Sequence, residues 1–235
     1  MKRINRKEFL GKAAAGGLFV AGSGVAYGQS ASEDSEPRRP RERRRKPQLE
    51  SDLVLKTVRS AHGEIEVVKD LLSQEPRLAN ATWDWGGGDW ETALGAASHM
   101  GRRDIAMLLL EHGARKDIFN MAMMGEFSSV KAMVDSGKSI VQVPGPHNIA
   151  LAFHAIFSGS IEMVAYLKSN GAKMKRGFIR PAVETGNYSM TEWLLDNGVA
   201  YDGKPVFLGK NAAEIAIEKG RNDIAELLNS RLNET

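Results

Sequence analysis

The sequence predicts an all-α fold: about six helix pairs stacked into a solenoid. Three observations predict it. From residue 51 onward a glycine recurs with mostly apolar residues at +4, +5 and +8. A second glycine often stands at +12. Small residues, such as Ala96-Ala97 and Ala182, occupy the short segments ahead of the leading glycines. The +4, +5, +8 spacing places apolar side chains on one face of a helix. Glycine at +12 stops that helix in a left-handed cap. Small residues let the partner helix come close, and stacking buries faces that no single pair can bury.

In chain order, residues 1–28 read as an export signal. Lys2, Arg3, Arg6 and Lys7 precede a small apolar run from Ala13 to about Tyr27, with a cleavage region near Ala26 or Gly28. That is the order of a secretory signal. The run is short of the roughly 20 apolar residues a membrane span needs. Residues 29–50 hold Pro37, Pro40 and Pro47 and a mostly basic charge run from Arg38 to Lys46. They predict a disordered Arg/Pro-rich linker, or a weak tether to an anionic surface. Residues 51–232 are the repeat domain. Its units are led by Gly63, Gly101, Gly125, Gly159, Gly186 and Gly220. Gly101, for example, is followed by Ile105, Ala106, Leu109 and Gly113.

Charge and composition narrow the function. The chain carries +3, with +4 in residues 1–28 and +2 in 29–50, which leaves −3 for residues 51–235. A nucleic-acid-binding fold carries its own basic surface, so that class loses support. There is no cysteine, which excludes disulfides, thiolate metal sites and a cysteine nucleophile.

Two resemblances add to this reading. Asn5-Arg6-Lys7-Glu8-Phe9-Leu10-Gly11-Lys12 resembles the twin-arginine export motif, with Lys7 where that family has its second arginine. It implies a prokaryotic protein exported already folded to the periplasm or another extracytoplasmic space; ordinary secretion remains the alternative route. Thr92-Ala93-Leu94-Gly95-Ala96-Ala97, continuing through Gly101 to Leu109-Leu110-Glu111-His112-Gly113-Ala114, resembles the ankyrin repeat. Asn211 to Leu228 matches comparably. The units led by Gly125, Gly159 and Gly186 depart from that pattern by lacking the Thr-x-Leu start.

The leading glycines are spaced 38, 24, 34, 27 and 34 residues apart, against a family period of about 33. In that family long connections form short β-hairpin fingers, and the resemblance implies them near residues 76–91, 138–148 and 199–210. Short ones predict direct turns between Gly113 and Ile118 and between Gly171 and Phe178. The longest finger contains Trp83-Asp84-Trp85-Gly86-Gly87-Gly88-Asp89-Trp90. Its glycines supply the positive φ values of a tight tip.

The ankyrin resemblance implies a partner protein bound by finger tips and by the residues just before each leading glycine. Those positions predict a patch made of Trp83, Trp85, Trp90, His99, Met100, Met123, Met124 and Phe157. Exposed methionine and tryptophan suit adaptable binding. The expected function is therefore a non-catalytic protein-interaction module, accessory to or inhibitory of an extracytoplasmic enzyme. The alternative is a binder of envelope glycan or wall polymer through stacked Trp rings. The five histidines show no HExxH or other metal spacing, although His62 and His99 can share the groove. Gly137-Lys138-Ser139 lacks the earlier glycine of a phosphate loop, and Asp84 with Asp89 offers too few ligands for calcium. No cofactor, metal or catalytic residue is expected, and the membrane is engaged only through the signal or the basic linker.

Overall fold

The computed structural model describes residues 47–233; the export-signal reading and nearly all of the linker lie outside the described residues. The described residues are mostly helical, with twelve α-helices and one small two-stranded sheet. In order they are α1 (Ser51–Ser60), α2 (Ile65–Gln74), strands β1 (Thr82–Asp84) and β2 (Trp90–Thr92), α3 (Ala93–His99) and α4 (Arg103–Glu111). There follow α5 (Ile118–Met124), α6 (Phe127–Ser136), α7 (Leu151–Phe157), α8 (Ile161–Ser169), α9 (Ile179–Glu184), α10 (Tyr188–Asp196), α11 (Ala212–Glu218) and α12 (Asn222–Asn233).

Each odd-numbered helix packs on the even-numbered helix that follows it. The odd-numbered helices also pack along a row, α1 on α3, α3 on α5 and so on to α11. This row consists mostly of helices of six or seven residues. Every residue of α3 is buried, because it has neighbours on both sides and α4 behind. Ala93, Ala96 and Ala97 make that contact close. The apolar +4, +5, +8 positions of the longer helices form the core: Ile105, Ala106 and Leu109 in α4, and Met163, Val164 and Leu167 in α8, are all fully buried.

The start signals work locally. Thr92, Asp117, Ser160 and Asn187 accept hydrogen bonds from backbone N–H groups at the first turns of α3, α5, α8 and α10. Asn211 and Glu214 form a reciprocal capping box on α11. Each such cap contributes about 1 kcal/mol. Gly101 shows why the leading position is glycine. Its φ is +65°, and a Cβ there would lie 2.4 Å from Phe157 Cδ1.

Only the first expected finger is a hairpin. β1 and β2 pair antiparallel, with Thr82 opposite Thr92, Trp83 opposite Glu91 and Asp84 opposite Trp90. The connection at 138–148 consists of 3-10 turns at Lys138–Gln142 and Pro146–Asn148, with a single bridge between Pro144 and Ala150. The connection at 199–210 has one bridge, Phe207 to Lys210. Proline explains both corrections. Pro144, Pro146 and Pro205 lack the N–H that a ladder requires. The short links behave as expected: α5 starts at Ile118 soon after Gly113, and a brief turn at Arg176–Phe178 leads into α9.

Candidate functional site

The hairpin organises the site through its period of two. Alternate residues of a strand face opposite sides, and directly paired residues share a side. Trp83, Trp85 and Glu91 therefore face one way, and Asp84 and Trp90 the other. The inward face lies against α1. There Trp83 and Trp85 are half-buried and pack on the N-terminal part of the core. The Arg59 guanidinium lies 5.7 Å from the centre of the Trp85 ring, and the Trp85 indole Nε1–H donates to Glu91 Oε2 at 2.8 Å. Trp90 on the other face is 61% exposed.

Glu91 is fully buried, and three imidazoles converge on it. His62 follows the C-terminal end of α1, and its Nε2 lies 3.6 Å from Glu91 Oε2. His99 ends α3, and its Nδ1 lies 3.1 Å from Glu91 Oε1. His147 comes from the loop before α7, and its Nε2 lies 3.3 Å from the same oxygen. Ring centroids are 4.9 Å apart for His62 and His99, and 5.3 Å apart for His99 and His147. Despite these distances, Glu91 Oε1 and His99 Nδ1 are buried without a hydrogen-bond partner, because the contact is out of line for one.

Two of the rings are oriented from behind. His62 Nδ1 lies 3.1 Å from the carbonyl oxygens of both Val58 and Arg59. His147 Nδ1 lies 2.8 Å from Asp89 Oδ2, while the His147 backbone N–H donates to Asp89 Oδ1 at 2.8 Å. In each ring, Nδ1 as the protonated donor leaves the Nε2 lone pair directed at the centre. The loop is strained to reach it: His147 and Asn148 both take left-handed φ values, 55° and 57°. Such conformations cost free energy and persist where surroundings enforce them.

The electrostatics follow from burial and proximity. Burial raises the Glu91 carboxyl pKa, but His99, His62 and the Trp85 N–H outweigh it and hold it below the ordinary carboxylate value. Burial lowers the His99 pKa; Glu91 opposes this, His62 and His147 add to it, and the net effect is downward. The His147 backbone N–H is the main cause of a lowered Asp89 pKa.

A cleft of about 810 Å³ lies between the hairpin tip and the 144–148 loop, lined in part by Gly87, Trp90, Phe119, Pro146 and His147. Asp89 and Asp117 add acid to its lining.

The continuous groove patch expected from the sequence is not formed as a surface. His99 and Met123 are buried, at 5% and 1% exposure. In the first three units the residue two before the leading glycine turns inward, as Ala61 also does, whereas Glu218 at the same place in the last unit is exposed. Met100, Met124 and Phe157 are half-buried. Met100 Sδ lies 3.7 Å from Arg180 Nη2, and Phe157 closes over Gly101. Of the eight expected contact residues, Trp90 is the one that is openly exposed. His62 and His99 do meet, as two residues able to share the groove could. Glu91 and His147 escaped sequence reasoning. A signal existed for Glu91: a carboxylate on the same strand face as Trp83 and Trp85. None existed for His147, 56 residues further on. No family model matches the chain, and the search of curated proteins found no match either.

Proposed function

We propose that this chain is an exported, non-catalytic protein-recognition module built on an ankyrin-like array over residues 51–232, accessory to or inhibitory of an extracytoplasmic enzyme. The observation that carries the recognition reading is Trp90, an open indole at the edge of the cleft between the hairpin tip and the 144–148 loop. Tryptophan buried on binding is a frequent source of interface free energy. Phe119 and Pro146 extend the apolar lining, and Asp89 and Asp117 make it acidic. The matching partner is a protein segment that presents an apolar residue beside a basic one. A stacked glycan platform is less well supported, because Trp83 and Trp85 turn inward and the Trp85 N–H is committed to Glu91. Export rests on the basic-then-apolar order of residues 1–28.

Selection of displayed peptides against the full chain tests recognition. Enriched peptides should pair an apolar with a basic residue. They should lose roughly 30-fold in affinity on Trp90→Ala, the effect of a hot-spot side chain. No enrichment, or equal binding to the Trp90→Ala chain, overturns the reading.

A further inference from the structure

We infer that His62, Glu91, His99 and His147 form a binding site for one divalent first-row transition-metal ion of the zinc class. Their ligand atoms lie within 4.8 Å of one another. Around a tetrahedral ion with bonds of about 2.0–2.1 Å, neighbouring ligand atoms sit roughly 3.3 Å apart. His62 Nε2 lies 3.6 Å from Glu91 Oε2, while His99 Nδ1 and His147 Nε2 lie 3.1 and 3.3 Å from Oε1, the oxygen that the Trp85 N–H leaves free. Those are ligand-to-ligand separations rather than the 2.7–2.9 Å of charge-assisted hydrogen bonds. The misaligned contact between Glu91 Oε1 and His99 Nδ1 says the same: both atoms are buried and lack a hydrogen bond. A cation between them satisfies both at once.

The surroundings have the form such ions favour. Metal-bound histidines usually donate their second ring N–H to a carbonyl or carboxylate. His62 Nδ1 meets the Val58 and Arg59 carbonyls, and His147 Nδ1 meets Asp89. The Trp85 N–H holds one Glu91 oxygen, leaving the other as a single ligand atom. Three nitrogens and one oxygen exclude a magnesium or calcium preference, since those ions take oxygen ligands. Imidazole and carboxylate without thiolate suit Zn²⁺, Co²⁺, Ni²⁺ or Fe²⁺. The ion would tie the end of α1, strand β2, the end of α3 and the 144–148 loop to one point. It would thereby hold the strained His147 backbone and one wall of the cleft.

The test uses the full chain stripped with a chelator, then titrated with Zn²⁺ by calorimetry and with Co²⁺ by visible absorption. Expected are one ion per chain, the ligand-field bands of four- or five-coordinate Co²⁺, a raised melting temperature and no uptake of Mg²⁺. His62→Gln and His147→Gln alter partly exposed side chains and should each abolish the Co²⁺ bands. Asp89→Asn should weaken Zn²⁺ binding roughly 10–100-fold through His147, and His112→Gln should change nothing. In the unsubstituted chain, the imidazole resonances of His62, His99 and His147 should shift together on Zn²⁺ addition while those of His112 and His154 stay. That measurement stands even if a variant unfolds. The proposal is overturned by the absence of stoichiometric uptake, by uptake that survives His62→Gln with His147→Gln, or by resonance shifts confined to other histidines.

Discussion

The hairpin of residues 82–92 and the connection of residues 138–150 occupy corresponding places, ahead of α3 and α7, yet they are held by different means. The hairpin satisfies its own backbone. Its strands pair over three residues each, and Gly86, Gly87 and Gly88 turn the tip with φ values of 111°, 67° and 89°. The connection has prolines where a ladder needs N–H groups, and left-handed backbone at His147 and Asn148 rather than at glycine. It is held by the hairpin, through Asp89. Its own backbone bonds near the tip are few, chiefly Gly145 N–H to the Ile149 carbonyl and Ile149 N–H to the Pro146 carbonyl, and the further partner it takes from the hairpin brings His147 onto Glu91. The weaker of the two links completes the site.

The largest way to break the comparison is acid. The connection delivers α7, where His154 is fully buried between Phe119 and Phe153 with its Nε2 unpartnered. Burial lowers its pKa from 6.5 to about 4. A lowered imidazole pKa means the folded state resists protonation, so this contribution to stability is complete above pH 6.5 and is lost as pH falls from 6.5 toward 4. The full loss is about 3 kcal/mol. Denaturant midpoints between pH 7 and 4 should show it, and His154→Leu should flatten that slope.

The hairpin breaks at its tip. Gly87→Val places a β-branched residue at φ +67°, costing about 1–2 kcal/mol. Nothing lies within 4 Å of the added Cβ, so the cost is purely backbone strain. Chemical denaturation should read it, with hydrogen exchange accelerating first at β1 and β2.

Asp89→Asn sharpens the comparison by cutting the borrowed support alone. In metal-free protein it should cost about 1 kcal/mol, after discounting for solvent. Exchange should rise at residues 144–150 while the hairpin amides stay protected. Equal loosening of both links would mean that the hairpin, too, depends on the contact. Trp90→Ala is the smallest change, within about 0.5 kcal/mol in stability because the ring is open to solvent; its effect should appear in partner affinity and not in melting temperature.

Much of the helical framework was legible because it depends on local periodicity. Ile105, Ala106 and Leu109 are buried at the offsets counted from Gly101, and Thr92 and Asn211 cap helices that begin beside them. Finger formation was misjudged at 138–148 and 199–210 because connection length was weighed above proline. The contact patch was misjudged because adjacent helix residues lie about 100° apart, and in the second and third units the residue two before the glycine falls on the packed side. Met123 and His99 took the inward place.

By itself the amino-acid order determined where helices start and stop, which faces they bury, and that the first finger turns on three glycines. Those features are set by side chains within a turn or two of one another. Tertiary structure alone decided that Glu91 would be buried among His62, His99 and His147. Strand register turned the carboxylate inward, stacking of short helices brought the ends of α1 and α3 together, and a proline-broken loop clamped by Asp89 carried the last imidazole across. No local pattern encodes a meeting among residues up to 85 positions apart; only the packed stack does.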